Sequence, residues 1–282
     1  MLFENVCVLG SGLLGSSLLM AAKNRGLCRR AQVWSRSEAT RAQARAQPWC
    51  DQVFDTPESA VQAADLVVLG APVQVIPALL EKIAAHIKPS AIVTDVGSVK
   101  QDICAAGQRV LPKNFIGSHP MAGSEKTGIA AADQTLFEAQ ACFVVPLPES
   151  DPLAVEKLTA FWSALGTRVT QTDAQTHDRI VARVSHLPHA LAAALCVTLS
   201  QDHPEWKNFS GNGLKDATRI AASDPELWKQ IFSQNRAALL QALDQHIETI
   251  NTLRQALDQA DEKTIKALLT RAQTYRQNWP IE

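Results

Sequence analysis

Over residues 1–172, apolar positions come in short β-branched runs separated by stretches with helical spacing. Residues 6–9 read as a strand buried on both faces, because the run is apolar without alternation, and 14–25 follows as a helix. Residues 32–34, 66–69, 91–94, 115–117, 142–145 and 168–171 share the strand character. Helical patterns such as 77–86 and 152–165 lie between them. Strand and helix in alternation predict a parallel sheet covered on both faces, a doubly wound α/β domain spanning 1–172.

From 173 to 282 the pattern is helical, with no clear strand. Asp224-Pro225-Glu226 is a helix start: the aspartate caps, the proline suits the first turn, and the glutamate meets the positive helix end. The helix that follows is expected to carry Leu243, Ile247, Ile250, Leu253 and Leu257 on one stripe. A last helix from about Asp261 repeats the pattern with Ile265, Leu268, Leu269 and Ala272. Such a stripe fits either an ordinary helical core or the seam of a dimer.

Composition narrows the classes. A 46% hydrophobic and 20% charged chain is a normal globular mixture with ample material for a core. A net charge of −1 offers no global field to nucleic acid or to a membrane surface, so neither is expected as a partner. An anionic substrate must then be met by local cations. The six cysteines, Cys7, Cys28, Cys50, Cys104, Cys142 and Cys196, form no CxxC pair and read as reduced thiols. No basic leader precedes the first strand, and the most apolar later stretch, 187–199, is too short to span a bilayer and carries His189. A cytosolic location is the expectation.

Gly10-Ser11-Gly12-Leu13-Leu14-Gly15 is a GxGxxG motif that follows the first strand and opens the first helix, the context of a dinucleotide phosphate loop. Gly10 permits the tight turn, Gly12 lets a pyrophosphate approach the backbone, and Gly15 lets the helix pack close to the sheet. The helix start, with Leu13 and Leu14, supplies unpaired N–H groups to the phosphates. After the second strand an acid would bind the ribose hydroxyls of NAD; here Ser35-Arg36 stands instead. Ser35 is small and can donate, and Arg36 suits a 2′-phosphate, so NADP is the expected preference with NAD possible. Ser35 and Glu38 also fit a helix capping box, with Arg36 merely solvated.

Two polar segments follow strands: Asp95-Val96-Gly97-Ser98-Val99-Lys100 and His119-Pro120-Met121-Ala122-Gly123-Ser124-Glu125. Ligands of open α/β sheets bind beyond the carboxyl ends of strands, where a histidine is placed for proton chemistry. Both segments resemble motifs of the prephenate and arogenate dehydrogenases. So, in the same order, do Ser185-His186-Leu187-Pro188-His189, Lys215-Asp216-Ala217-Thr218-Arg219 and Ser223-Asp224-Pro225-Glu226-Leu227-Trp228. The resemblance covers the chain from residue 10 to about 230. It implies a dinucleotide-binding (Rossmann) domain, 1–172, followed by an all-α substrate and dimerisation domain, 173–282. It also implies oxidative decarboxylation of a cyclohexadienol with hydride transfer to NADP or NAD, on the way to tyrosine, in a homodimer.

Residue by residue, the resemblance implies that His119 accepts a hydrogen bond from the substrate's C4 hydroxyl and assists loss of its proton, with Ser98 beside the same hydroxyl. Arg219 pairs with a substrate carboxylate, His189 lines the pocket, and Lys215 and Glu125 lie nearby. Plainer readings stand beside these. Lys215 and Arg219, four apart, could form a solvated basic face, and Glu125 a helix-start acid. His177, His186 and His189 could gather a metal, but no acidic or cysteine ligand joins them at a usual spacing, so no metal is expected and His186 reads as structural. The length leaves no room for a mutase-like or regulatory extension, so one activity is expected. The alternatives are a β-hydroxyacid-type dehydrogenase, which would lean on a lysine acid/base, and a non-enzymatic dinucleotide-sensing dimer.

Overall fold

The structure is a computed structural model that describes residues 1–123, 127–201 and 203–279. It begins with β1 (Phe3–Leu9), α1 (Leu13–Asn24), β2 (Cys28–Trp34), α2 (Glu38–Arg45), β3 (Gln52–Val53), α3 (Pro57–Val61) and β4 (Leu66–Leu69). There follow α4 (Ile76–Ile83), β5 (Ile92–Asp95), α5 (Gln101–Val110), β6 (Ile116–Pro120), β7 (Ala141–Pro146), α6 (Pro152–Ala164) and β8 (Arg168–Gln171). Five parallel strands in the order β3-β2-β1-β4-β5 make the first sheet. A parallel bridge from Val93 to Phe115 carries it towards β6.

The apolar runs do what a doubly covered sheet requires. On β1, Val6 and Val8 join one core with Leu18, Leu19, Phe161 and Trp162, while Cys7 and Leu9 join the opposite one with Leu80, Ile103 and Phe115. Successive side chains point to opposite faces, so a strand buried on both shows no polar alternation.

Two departures from the sequence expectation lie here. The short polar β3 was not foreseen. Nor is the sheet wholly parallel: β6, β7 and β8 form a second sheet in which β6 and β7 are antiparallel and β7 and β8 parallel. The reason is the connection. A parallel return needs a crossover helix, which α6 supplies between β7 and β8. Among the described residues the link from β6 to β7 holds only a 3₁₀ turn, Ile129–Ala131.

After β8 every element is helical. Asp173 caps α7 (Ala174–Val181) through the N–H of Thr176 at 2.8 Å. A π turn, Ala182–His186, leads directly into α8 (Leu187–Gln201). The apolar stretch read as 13 residues is therefore part of a 28-residue helical run, Ala174–Gln201, long and apolar enough to cross a membrane by length and composition alone. Its first turns carry the buried His177 and Asp178.

Then come a 3₁₀ segment (Pro204–Phe209), α9 (Asn212–Thr218), a second 3₁₀ turn (Arg219–Ala222) and α10 (Pro225–Gln234), capped by Asp224. The helix begun at 225 does not run on to the apolar stripe. It ends at Asn235, whose side-chain amide bonds the Asp178 carbonyl at 2.8 Å and His186 Nδ1 at 3.1 Å.

The chain forms two compact units, 1–235 and 236–282. The change from strand-bearing to all-helical chain comes earlier, after β8, because α7 packs on α5 and β7 within the first unit. The second unit is a helical hairpin, α11 (Arg236–Asp258) and α12 (Glu262–Gln277). Its turn has Ala260 at φ 52°, and Asp261 caps α12 through Thr264 N–H at 3.0 Å.

Candidate active site

The glycine loop joins β1 to α1. Gly10 has φ 110°, and a Cβ there would lie 2.5 Å from the Gly70 carbonyl oxygen. A Cβ on Gly15 would lie 2.3 Å from Gly10 O and 2.7 Å from a Val8 methyl. A Cβ on Gly12 would meet nothing within 4 Å. Two glycines thus close the strand–turn–helix, and the third leaves open space before the first N–H groups of α1 at Leu13 and Leu14. This is the cradle a pyrophosphate requires. Gly70, at the end of β4 and equally crowded by Gly10 O at 2.6 Å, went unnoticed in the sequence.

Ser35 is buried at the end of β2. Its hydroxyl accepts the Ser11 N–H at 3.0 Å and shares a hydrogen bond with the Ser11 hydroxyl at 2.8 Å. The capping-box alternative is overturned: Ser37 occupies the N-cap of α2 without a side-chain bond, and Glu38 pairs with Arg41 and Arg45 instead. Arg41 Nη1 in turn donates to the carbonyls of Ser35 at 2.8 Å and Arg36 at 3.1 Å. Arg36 itself is exposed.

Beyond β5 the chain is held by a carboxylate. Asp95 and Lys100 are fully buried and form an ion pair. Asp95 also accepts the N–H of Gly97 at 2.8 Å and of Ser118 at 3.2 Å. Ser118 Oγ donates to the Asp95 carbonyl at 2.6 Å. Half-buried Ser98 is carried on this clamped loop, next to the strand that carries His119. A buried pair of charges contributes little net stability but ties a loop to one geometry, since either partner alone would be costly.

His119 lies on β6, 7% exposed. Its Nδ1 is 2.9 Å from His177 Nε2, and His177 Nδ1 is 2.7 Å from Asp178 Oδ1. Asp178 also accepts the backbone N–H groups of Lys100 at 2.8 Å and Gln101 at 3.0 Å. Burial holds His119 well below its ordinary pKa, and the neighbouring His177, Lys100 and His186 add to the shift. Burial also lowers His177, against the pull of Asp178. For Asp178 burial alone would raise the value, but the hydrogen bonds from His177, Gln101 and Lys100 outweigh it and hold the carboxyl low. At neutral pH this is a neutral imidazole backed by an anion, with no described residue bonded to His119 Nε2. Such a group accepts a proton.

His177 entered the sequence reading only as a metal candidate, and Asp178 not at all. The adjacent His-Asp pair just after the last strand was the available signal. His177 directs both ring nitrogens to His119 and Asp178, and His186 is bonded to Asn235. Among the described residues no three His, Cys, Asp or Glu side chains gather as metal ligands.

His189 stacks on Trp228, with centroids 3.3 Å apart and planes at 20°. It lies 3.4 Å from both Ser223 Oγ and the Ser185 carbonyl. Burial lowers its pKa against the pull of the Ser185 carbonyl, and the charge of Arg219 adds to the lowering. His186 is depressed to about 4, first by burial and partly by His177 and His189, which links this group to the His119 network. Lys215 and Arg219 do not share an uninterrupted helix, because α9 stops at Thr218 and Arg219 opens the 3₁₀ turn. Lys215 is exposed. Glu125 lies outside the described residues.

Comparison with known proteins matches residues 20–171 to the prephenate dehydrogenase nucleotide-binding domain and 173–271 to the prephenate dehydrogenase dimerization domain. The chain is 34% identical to a cyclohexadienyl dehydrogenase of Zymomonas mobilis, over 92% of this chain and 90% of that one. The fold resembles prephenate dehydrogenase of Aquifex aeolicus in complex with hydroxyphenyl propionate and NAD+, with a TM-score of 0.91, 28% identity and 97% of each chain covered. It also resembles Synechocystis arogenate dehydrogenase, with a TM-score of 0.87 and 28% identity over 98% of this chain and all of that one. Motifs, sheet order and a match across nearly the whole length agree: the chain belongs to the prephenate dehydrogenase family, a family of oxidoreductases.

Proposed function

We propose that this chain is a prephenate or arogenate dehydrogenase that oxidatively decarboxylates a cyclohexadienol in tyrosine biosynthesis. The carrying observation is His119, a buried neutral imidazole at a strand end, with a carboxylate two hydrogen bonds behind it. A bound nicotinamide supplies the hydride acceptor. His119 accepts the proton of the C4 hydroxyl as hydride leaves C4, and Ser98 orients that hydroxyl. Arg219 holds a substrate carboxylate, for which a planar guanidinium is suited, beside the His189–Trp228 stack. Ring aromatisation drives loss of carbon dioxide, so positioning and one proton acceptor suffice.

For the nucleotide the reading is NADP, with NAD the other outcome. Ser35, in place of an acid at the end of β2, is turned to the glycine loop, and exposed Arg36 follows it. The NAD+ in the A. aeolicus complex favours the opposite choice. A charge-assisted hydrogen bond contributes about 1.5–3 kcal/mol, or roughly ten- to a hundredfold in affinity. The proposed functional division is a nucleotide domain, 1–172, and a substrate and dimerisation domain, 173–282, in a cytosolic homodimer; the family matches at 20–171 and 173–271 support the division. The six unpaired cysteines suit a reducing compartment.

A two-by-two assay tests the reading: prephenate or arogenate, each with NADP or NAD. Turnover of either substrate is expected, with the higher kcat/KM on NADP, and Ser35→Asp with Arg36→Ala should reverse that preference. No turnover of either substrate would overturn the activity. A wild-type preference for NAD would overturn only the cofactor choice.

A further inference from the structure

The bonding around Asp178 settles which way the protons point along the chain to His119. Oδ1 receives the Lys100 N–H at 2.8 Å, and Oδ2 receives the Gln101 N–H at 3.0 Å and the Gln101 side-chain amide at 3.2 Å. A carboxylate so surrounded by donors is an ionised, acceptor-only group. His177 Nδ1, 2.7 Å from Oδ1, must therefore be the donor of that bond. A neutral imidazole has one N–H, so His177 Nε2 carries a lone pair and can only accept. Its neighbour at 2.9 Å, His119 Nδ1, is then the protonated nitrogen, which leaves His119 Nε2 bare.

We propose that Asp178 and His177 are a positioning pair that locks His119 in the Nδ1–H tautomer, so that Nε2 is the ring nitrogen left to accept a proton. The proposal deepens the dehydrogenase reading and rests on it for the identity of the proton donor. The proton of the substrate hydroxyl forms a bond to His119 Nε2 as the O–H bond breaks; Nδ1–H stays in place and donates to His177 throughout. Neither His177 nor Asp178 touches substrate.

The other groups facing the imidazole do not set the tautomer. Lys100 is paired with Asp95 on the loop after β5, and His186, from the π turn, is bonded to Asn235. Phe143, across the strand pair, meets the His177 ring edge-on at 5.1 Å and restricts its rotation. The Asp178 carboxylate has a second part in the geometry. It binds the first two N–H groups after Val99, so one side chain of α7 places both the histidine and the loop that carries Ser98. A histidine without such partners samples both tautomers and both ring orientations. Elsewhere, a wrong tautomer with intact geometry is enough to disable a catalytic histidine.

The test is ¹⁵N-histidine NMR of the full-length protein together with steady-state kinetics. The His119 signals are assigned by their absence in His119→Asn. In wild type, His119 Nδ1 should be protonated and Nε2 bare. His177→Leu removes the acceptor: both His119 nitrogens should move towards exchange-averaged shifts. In the same variant kcat should fall roughly 10²-fold, within the range of positioned general-base assistance, with little change in either KM. His177→Gln returns a carbonyl acceptor and should recover part of kcat and of the Nδ1–H signal. A wild-type proton on Nε2 would overturn the proposal, as would equal losses of kcat in the leucine and glutamine variants. The tautomer is read without turnover, so an inactive wild type would sink the dehydrogenase reading and leave this measurement standing.

Discussion

The surroundings of His119 and the surface of α11 and α12 break opposite rules. Around His119 the chain buries what proteins ordinarily expose: Asp95, Lys100, His177, Asp178 and His186 all lie within the first compact unit, each with a partner. The hairpin exposes what proteins ordinarily bury. Ile247, Ile250, Leu257 and Leu269 are 48–62% exposed, on or beside the stripe the sequence picked out. Buried charge is costly and is kept where orientation matters; an exposed apolar stripe is a liability kept where something covers it. One region therefore reads as chemistry and the other as assembly, and substitutions in each should fail differently.

The largest effect should come from His119→Asn. The variant should fold and bind nucleotide, yet lose about 10²- to 10⁴-fold in kcat, the usual contribution of general-base assistance. Near-full kcat with both prephenate and arogenate would remove His119 from the mechanism. Asp95→Asn should act on the same region through stability. It leaves the ammonium of Lys100 buried without its anion, which costs about 3–5 kcal/mol. Urea unfolding would read this, and a loss below about 1 kcal/mol would mean that Lys100 finds other compensation.

A pH titration separates the regions further. His186 has a folded value of about 4, below its ordinary value. The unfolded chain therefore binds the proton first, and stability present at neutral pH is lost as pH falls from about 6.5 towards 4. The full difference is roughly 3 kcal/mol. Unfolding curves of wild type and His186→Gln should converge over that window, and parallel curves would show that His186 does not carry the effect. The smallest effect on the fold should come from Ile250→Lys, a surface substitution worth within about 0.5 kcal/mol to the subunit. Its effect belongs to assembly: sedimentation should show the homodimer proposed for wild type and a shift to monomer in the variant. A wild-type monomer at micromolar concentration would remove the dimer reading and leave the exposed stripe unexplained.

The elements themselves were largely legible. β4 and β8 lie where the sequence reading put them, at 66–69 and 168–171, and α6 starts at its proline. Misreadings came where a partner distant in sequence decides. The helix started by Asp224 stops because Asn235 turns to Asp178 and His186, and no local propensity encodes that. Ser35 looked like half of a capping box because Glu38 follows at the right spacing, but the buried Ser11 backbone claims its hydroxyl first. The antiparallel pairing of β6 and β7 goes with a link that holds, among its described residues, only a 3₁₀ turn.

By itself the sequence determined the alternation of strand and helix, the glycine loop and the polar segments at the strand ends. Each of these is written in neighbouring residues, through the period of side-chain burial or the backbone freedom of a turn. Only the tertiary structure decided that His119 answers to His177, 58 residues away, and that Asp178 holds both that ring and the loop of Ser98. A hydrogen-bond chain is set by distances of about 3 Å between atoms on different elements, and a one-dimensional pattern carries no such distance.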